Sequence, residues 1–399
     1  MLKIGIIRER KNPPDERVPF SPEECAKLKA SPNIDLVVEK SPIRRFKNEE
    51  YKKQGVKMGN DLSDREVLFG VKEVPIENLM ENKTYFFFSH TIKKQPYNKG
   101  LLQAVLEKKI TLIDYECLTD ENGTRLVAFG RYAGIVGAYN AFYAYGKRTG
   151  DFELKRAFKC EDRHEMEREL QHVKLGATKI VITGRGRVAG GALEILNELG
   201  IEQVSPKDFL NKTYNHAVFT QLGVTDYNKR KDGSTGSMKE FFEKPKLYQS
   251  DFMRFAKVAD IYIACHFWQA GSPFIFSREE AKSEEFKIRT VADISCDIDG
   301  PVASTLRPST IAKPLYGYDP QKEAEVKFNA KNAITVMAVD NLPCELPRDS
   351  SEEFGSDLIQ EVLPALFNDD KDDILKRATI AKNGKLTARY KYLKDWVNS

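Results

Sequence analysis

Five side chains able to do polar chemistry stand beside apolar segments in the first third of the chain. Lys72 follows Val67-Leu-Phe-Gly-Val. A lysine partly buried at such a strand end has its pKa drawn toward neutrality, which suits proton transfer to an imine or carbinolamine. The plain alternative is a surface lysine. His90 follows Phe86-Phe-Phe-Ser and is one of five histidines. It is a candidate proton donor or substrate hydrogen-bonder, or a structural imidazole. Arg17, in Lys11-Asn-Pro-Pro-Asp-Glu-Arg17-Val-Pro, can clamp a carboxylate with both arms or pair with Asp15 or Glu16. Arg131 carries a charge into a small and aromatic stretch, residues 130–146, and so requires a partner. It is a second candidate clamp. Glu116, in Asp114-Tyr-Glu, can hydrogen-bond a cationic amine.

A sixth feature is a pattern rather than a residue. Lys179-Ile-Val-Ile-Thr-Gly184-Arg-Gly186-Arg187-Val188-Ala189-Gly-Gly-Ala-Leu-Glu-Ile-Leu reads as an apolar strand, a G-x-G-x-x-A turn and an amphipathic helix. Gly184 permits the tight turn, Gly186 lets backbone approach a pyrophosphate, and small Ala189 lets helix and strand pack closely. The helix start offers N–H groups and partial positive charge to phosphate. The alternative is a tight turn with no ligand. The acidic residue that usually holds the adenosine ribose is expected at the end of the next strand. Counting places Ser205 there, with Lys207 nearby. Without a carboxylate at that position, either NAD or NADP fits.

These groups need strands to hold them, and the pattern supplies them. Apolar runs at residues 3–7, 34–38, 67–71, 84–88 and 110–113 alternate with helical segments, among them a capped helix opening at Ser21-Pro22-Glu23-Glu24 and another over 99–107. Residues 130–146 read as a buried helix crossing between domains, and 154–174 as a charged surface helix. Further strands are expected at 179–183, 201–204, 261–265, 291–295 and 335–340, with a capping box at Ser350-Ser-Glu-Glu opening a late helix that packs back on the first domain. Residues 227–237 read as a mobile polar insertion. Alternation of this kind predicts an α/β protein with mostly parallel sheets.

Composition narrows the classes. The chain has 399 residues, 41% hydrophobic and 31% charged, enough for two or three domains with sizeable cores. A net charge of +4 over that length gives no nucleic-acid footprint. No apolar run reaches the roughly 18 residues of a membrane helix, and the short apolar start does not read as a signal peptide. The six cysteines form no C-x-x-C pair, so neither a disulfide framework nor a metal site is expected, and the reading is a reduced, cytoplasmic protein.

In order along the chain, ERKNPPDERVPFSPE, LFGVKEVP, FFFSHTIKKQ, LIDYECLTDENGTRLVAFGRYAG and AVDNLPCELPRDSSEEFG resemble the lysine-forming saccharopine dehydrogenase and lysine–ketoglutarate reductase family, relatives of alanine dehydrogenase and the transhydrogenase nucleotide domain. The resemblance implies two Rossmann-like domains, residues 1–130 plus 330–399 for substrate and 131–329 for dinucleotide, with a cleft between them. It implies Lys72 and His90 as an acid/base pair, Arg17 and Arg131 as carboxylate-binding arginines, Glu116 near the substrate amine and Asp340 near the nicotinamide. The implied partners are small molecules: an amino acid, a 2-oxo acid and NAD or NADP. The implied reaction interconverts saccharopine with lysine and 2-oxoglutarate. An alanine dehydrogenase-like enzyme and a non-catalytic dinucleotide-binding module are the alternatives.

Overall fold

Two eight-stranded sheets organise the chain, and the computed structural model describes all of residues 1–399. They belong to two compact units, Met1–Phe129 with Pro347–Ser399, and Gly130–Leu346. Both are α/β with mostly parallel strands, as the alternation predicts.

In the first unit the strands run in the order Lys385–Leu386, Thr379–Lys382, Thr111–Asp114, Thr84–Phe87, Val67–Phe69, Leu2–Ile6, Ile34–Glu39 and Lys57–Gly59. Six are parallel, and the C-terminal hairpin adds two antiparallel strands at one edge. Such a sheet is covered on both faces and needs near-continuous apolar strands. Ile4, Ile6, Leu68, Phe69, Phe86 and Phe87 meet that need and are fully buried, with Phe69 and Phe86 stacked at 4.5 Å. Each such side chain contributes about 1.5–3 kcal/mol of transfer free energy. Helix Pro22–Lys29 opens with the expected capping box on Ser21 and Glu24.

The second sheet runs Ala324–Val326, Leu315–Asp319, Ile334–Met337, Thr290–Asp293, Ile261–Ala264, Lys179–Thr183, Val218–Leu222 and Glu202–Gln203. It also has six parallel strands and an antiparallel pair at one edge. Ile180 and Ile182 face a core built with helix Gly130–Thr149, while Val181 faces a separate core with Phe209, Phe252 and Tyr262. Helix Gly130–Thr149 lies against helix Arg187–Glu198 so closely that a Cβ on Gly134 would stand 1.9 Å from the Val188 carbonyl.

Several expectations are corrected. Residues 330–346, expected with the first domain, lie in the second unit, because Ile334–Met337 pairs with Thr290–Asp293. Residues 154–174 hold only the short helix Arg163–Glu169 flanked by 3₁₀ turns. Ser350 is inside helix Pro347–Asp357 rather than capping it. The 227–237 segment contributes strand Asn228–Arg230, paired with Tyr248–Ser250. Residues 201–204 form only the two-residue edge strand Glu202–Gln203, and the interior place beside Lys179–Thr183 goes to Val218–Leu222, which the sequence reading missed.

Candidate functional site

In the first unit the chemistry-bearing residues follow the carboxyl ends of neighbouring parallel strands, where open α/β sheets hold ligands. Glu9 comes after Leu2–Ile6, Lys72 after Val67–Phe69, His90 after Thr84–Phe87 and Glu116 after Thr111–Asp114. Strand order reverses between Leu2–Ile6 and Val67–Phe69, so Glu9 and Lys72 flank the switch point.

Glu9 was not singled out from the sequence, yet it organises this edge. Its carboxyl accepts the backbone N–H of Val71 at 2.7 Å and of Lys72 at 2.9 Å. Burial, with the charge of Asp15 adding to it, lifts the Glu9 pKa to about 8. Arg17 is 2% exposed and engages Asp15 with Nε at 3.0 Å and Nη2 at 2.7 Å. Its guanidinium lies 4.1 Å over the Phe129 ring. Burial alone would raise the Asp15 carboxyl; the attraction of Arg17, with Lys72 adding to it, outweighs burial and holds it well below the usual range. The pairing with Asp15 offered as an alternative for Arg17 is therefore present, as a buried pair.

The loop after Lys72 supplies Glu73, which receives Nδ1–H of His90 at 2.7 Å and the Lys11 ammonium at 2.9 Å. Burial pushes against ionisation, but these two donors bring the Glu73 pKa down to about 2. An ionised carboxylate on Nδ1 fixes the tautomer and turns Nε2 of His90 into the working nitrogen. His90 itself has φ 53°, an uncommon left-handed conformation for a side-chain-bearing residue. Phe88, Tyr115, Phe129 and Phe354 form an aromatic floor, with Phe129 and Phe354 stacked at 4.4 Å and Phe88 facing His90.

Glu116 pairs with Arg125 at 2.6 Å and Lys93 at 3.3 Å, and its Oε2 is buried without a hydrogen-bond partner. Burial opposes its ionisation, but Lys93 and Arg125 hold the pKa down. Arg125 and Lys93 also escaped the sequence reading. Arg125 returns toward Glu116 because it bridges to Thr119 across a tight turn, whose Thr124 and Asn122 N–H groups the Asp120 carboxylate accepts.

Arg131 belongs to the second unit. It binds Glu194 through Nε at 2.6 Å and Nη2 at 2.7 Å, and Glu194 also takes Arg163 at 2.9 Å. The partner an arginine needs there is thus a carboxylate on the helix that follows the glycine turn.

The turn has the features required for a pyrophosphate. Gly184 has φ +107°, and a Cβ there would strike the Cys265 carbonyl at 2.4 Å, so only glycine fits. Gly186 begins the 12-residue helix Arg187–Glu198 with no side chain capping it, and a Cβ at 186 would meet nothing within 4 Å. Arg187 and Val188 form the first turn and Ala189 is fully buried. These residues fit a dinucleotide. His266, next to Gly184, donates or accepts through Nδ1 with Thr183 Oγ1 at 2.9 Å. Its Nε2 is buried without a partner, and burial pulls its pKa down to about 4. Asp340 is exposed just beyond the carboxyl end of Ile334–Met337.

The structure corrects Ser205. It caps helix Pro206–Asn211, its hydroxyl accepting the Asp208 N–H at 3.1 Å. Its strand lies at the sheet edge with Val218–Leu222 between it and the glycine turn, about 10 Å of sheet away at two strand spacings.

Comparison with known proteins accords with this architecture. Residues 5–136 match the family model of the alanine dehydrogenase/PNT N-terminal domain. The chain is 30% identical to the mitochondrial alpha-aminoadipic semialdehyde synthase of Bos taurus, over 98% of this chain and 47% of the relative. It therefore spans about half the length of that relative. It is 27% identical to the saccharopine dehydrogenase (NAD(+), L-lysine-forming) of Schizosaccharomyces pombe, over 93% of this chain and 95% of the other. Among solved structures, an L-alanine dehydrogenase superposes with a TM-score of 0.65 at 16% identity, covering 99% of this chain and all of that one. A transhydrogenase from Sinorhizobium meliloti gives 0.58 at 14% identity, covering 96% and 100%. The two structural likenesses concern the fold. The chain is similar over nearly its whole length to both of these sequence relatives, and no helix in it is long and apolar enough to cross a membrane.

Proposed function

We propose that this relative of the saccharopine dehydrogenases is an NAD(P)-dependent oxidoreductase that interconverts saccharopine with L-lysine and 2-oxoglutarate. The observation that carries the reading is the carboxyl edge of the first sheet, where ionised Glu73 orients His90 after one strand and Lys72 follows the neighbouring strand.

The dinucleotide, seated on the turn Gly184–Ala189 with Asp340 toward its nicotinamide, would accept or supply the hydride. The protein's own groups then handle protons. In the direction of synthesis the lysine amine adds to the 2-oxoglutarate carbonyl, giving a carbinolamine. Lys72 delivers a proton to the departing hydroxyl, water leaves, and the imine forms. His90 Nε2 takes the proton that the amine nitrogen must lose. In hydrolysis the same two groups act in reverse. Such positioned groups contribute about 100- to 10,000-fold each. Glu116 offers its unpartnered Oε2 to a cationic amine. Arg17 and Arg131 are the proposed carboxylate contacts, and Arg125 beside Glu116 is a third. A cytoplasmic setting, as the composition suggests, is part of the same proposal.

A steady-state panel tests it. Purified chain with reduced dinucleotide should turn over lysine plus 2-oxoglutarate and, in reverse, saccharopine with oxidised dinucleotide. Turnover of pyruvate plus ammonia alone would make it an alanine dehydrogenase-like enzyme. Dinucleotide binding with no turnover of any pair would make it a binding module.

A further inference from the structure

The counting rule places the ribose-binding residue at the end of the next strand in sequence, but the rule works because that strand ordinarily lies next to the glycine turn. Here the neighbour is Val218–Leu222. Its end is fastened to the turn: Gly184 N–H donates to the Leu222 carbonyl at 2.9 Å, and the Gln221 side-chain amide donates to the Gly184 carbonyl at 2.9 Å. The chain then turns through Gly223 and presents Asp226. One oxygen of Asp226, Oδ2, accepts the Gly223 N–H at 2.7 Å and meets Nη2 of Arg185 at 3.3 Å. Arg254 pins the loop by donating to the Asp226 carbonyl at 2.6 Å. Arg185 is the residue between the two glycines of the turn, and its guanidinium lies over Gly223, where a Cβ would stand 2.9 Å from Nε.

We infer that Asp226 is the residue that selects the dinucleotide, taking the adenosine ribose hydroxyls and so favouring NAD(H) over NADP(H). This rests on the proposed dinucleotide site. Oδ2 is held by backbone and by Arg185, and neither interaction uses Oδ1. A ribose 2′-hydroxyl can donate to a carboxylate oxygen there. A 2′-phosphate would bring up to two negative charges against one already present. Arg185 of the turn pairs with Asp226, and that pair engages one charge that could have received a phosphate. Asp226 lies some forty residues past Gly184, about twice the usual ~20, which hides it from sequence counting.

The test is calorimetric binding of ADP-ribose and of its 2′-phosphate to the full chain, with no turnover involved. Wild type should bind ADP-ribose at least about tenfold tighter than the 2′-phosphate, the step a single charged contact commonly supplies. Asp226→Asn keeps an acceptor for Gly223, removes the charge, and should close most of that gap by improving the phosphorylated ligand. Arg185→Ala added to it should reverse the improvement. Ser205→Ala should leave the ratio alone. A wild-type preference for the 2′-phosphate, or a ratio unmoved in an Asp226→Asn protein with a native circular dichroism spectrum, overturns the assignment. Failure of wild type to bind either ligand overturns the dinucleotide site itself, a separate result.

Discussion

The two units share a plan, six parallel strands with an antiparallel pair at one edge, but they thread it differently. In the first, the parallel strands taken in chain order lie as sixth, fifth, fourth, first, second and third, the usual doubly wound order. In the second, the second and third change places. The difference follows from apolarity. An interior parallel strand is covered on both faces; Val218–Leu222 is almost wholly buried, whereas Glu202–Gln203 is exposed. The more apolar segment takes the inner slot, and the polar one becomes a short edge strand, a form that also discourages edge pairing. The exchange leaves the glycine turn intact and changes which side chain lies beside it. The units also differ in equipment: the first carries a cluster of charged and titratable groups, the second a turn shaped for phosphate.

The sharpest way to break this division of labour is to remove the charged cluster. Lys72→Met and His90→Gln should each lower kcat/KM about 100- to 10,000-fold. Affinity for ADP-ribose in the second unit should stay within about twofold, because neither residue belongs to the unit that carries the glycine turn. Loss of nucleotide binding in either variant would contradict the assignment of separate roles.

A smaller effect concerns pH, and the two units should respond with opposite signs. Glu9 has its pKa raised by burial to about 8 from an ordinary 4.5. The fold holds a proton that the unfolded chain releases, so this contribution is complete below pH 4.5 and is lost as pH rises toward 8. His266 has its pKa lowered by burial to about 4 from 6.5. The fold disfavours a proton that the unfolded chain accepts, so that contribution is complete above pH 6.5 and is lost as pH falls toward 4. Trp396 belongs to the first unit and Trp268 to the second, so single-tryptophan variants report each unit in urea unfolding. The destabilisation caused by Glu9→Gln should shrink as pH rises and that caused by His266→Gln should shrink as pH falls. Each should change by up to about 1 kcal/mol per pH unit inside its window. Parallel slopes for the two would be the contrary result.

The smallest expected effect is at Ser205. Ser205→Ala removes a helix cap and should cost about 1 kcal/mol in the second unit. Urea unfolding followed at Trp268 measures it, and a gain of a kilocalorie or none at all would remove the cap from the account.

Local signals were legible in proportion to how local their causes are. The Ser21 capping box, the strand before Gly184 and the helix after it are set by neighbours within a few residues, and the structure has all of them. The charged stretch at 154–174 misled because charge spacing does not fix a continuous helix: the segment buries Leu154, Ala157, Met166 and Leu170 from two 3₁₀ turns, a short helix and the chain that leads into them. Ser350 misled because the capping pattern is satisfied by sequence, while Pro347 starts the helix three residues earlier.

The sequence by itself determined the α/β class, the glycine turn and the strand-end positions of Lys72, His90 and Glu116, since periodicity and turn chemistry are written in adjacent residues. Only the tertiary structure decided that Glu9 underpins Lys72, that Glu73 orients His90, and that Asp226 displaces Ser205 beside the turn. Each of those outcomes depends on which distant strands become neighbours. That choice is made by competition for buried positions across the whole sheet, and no short window of residues contains it.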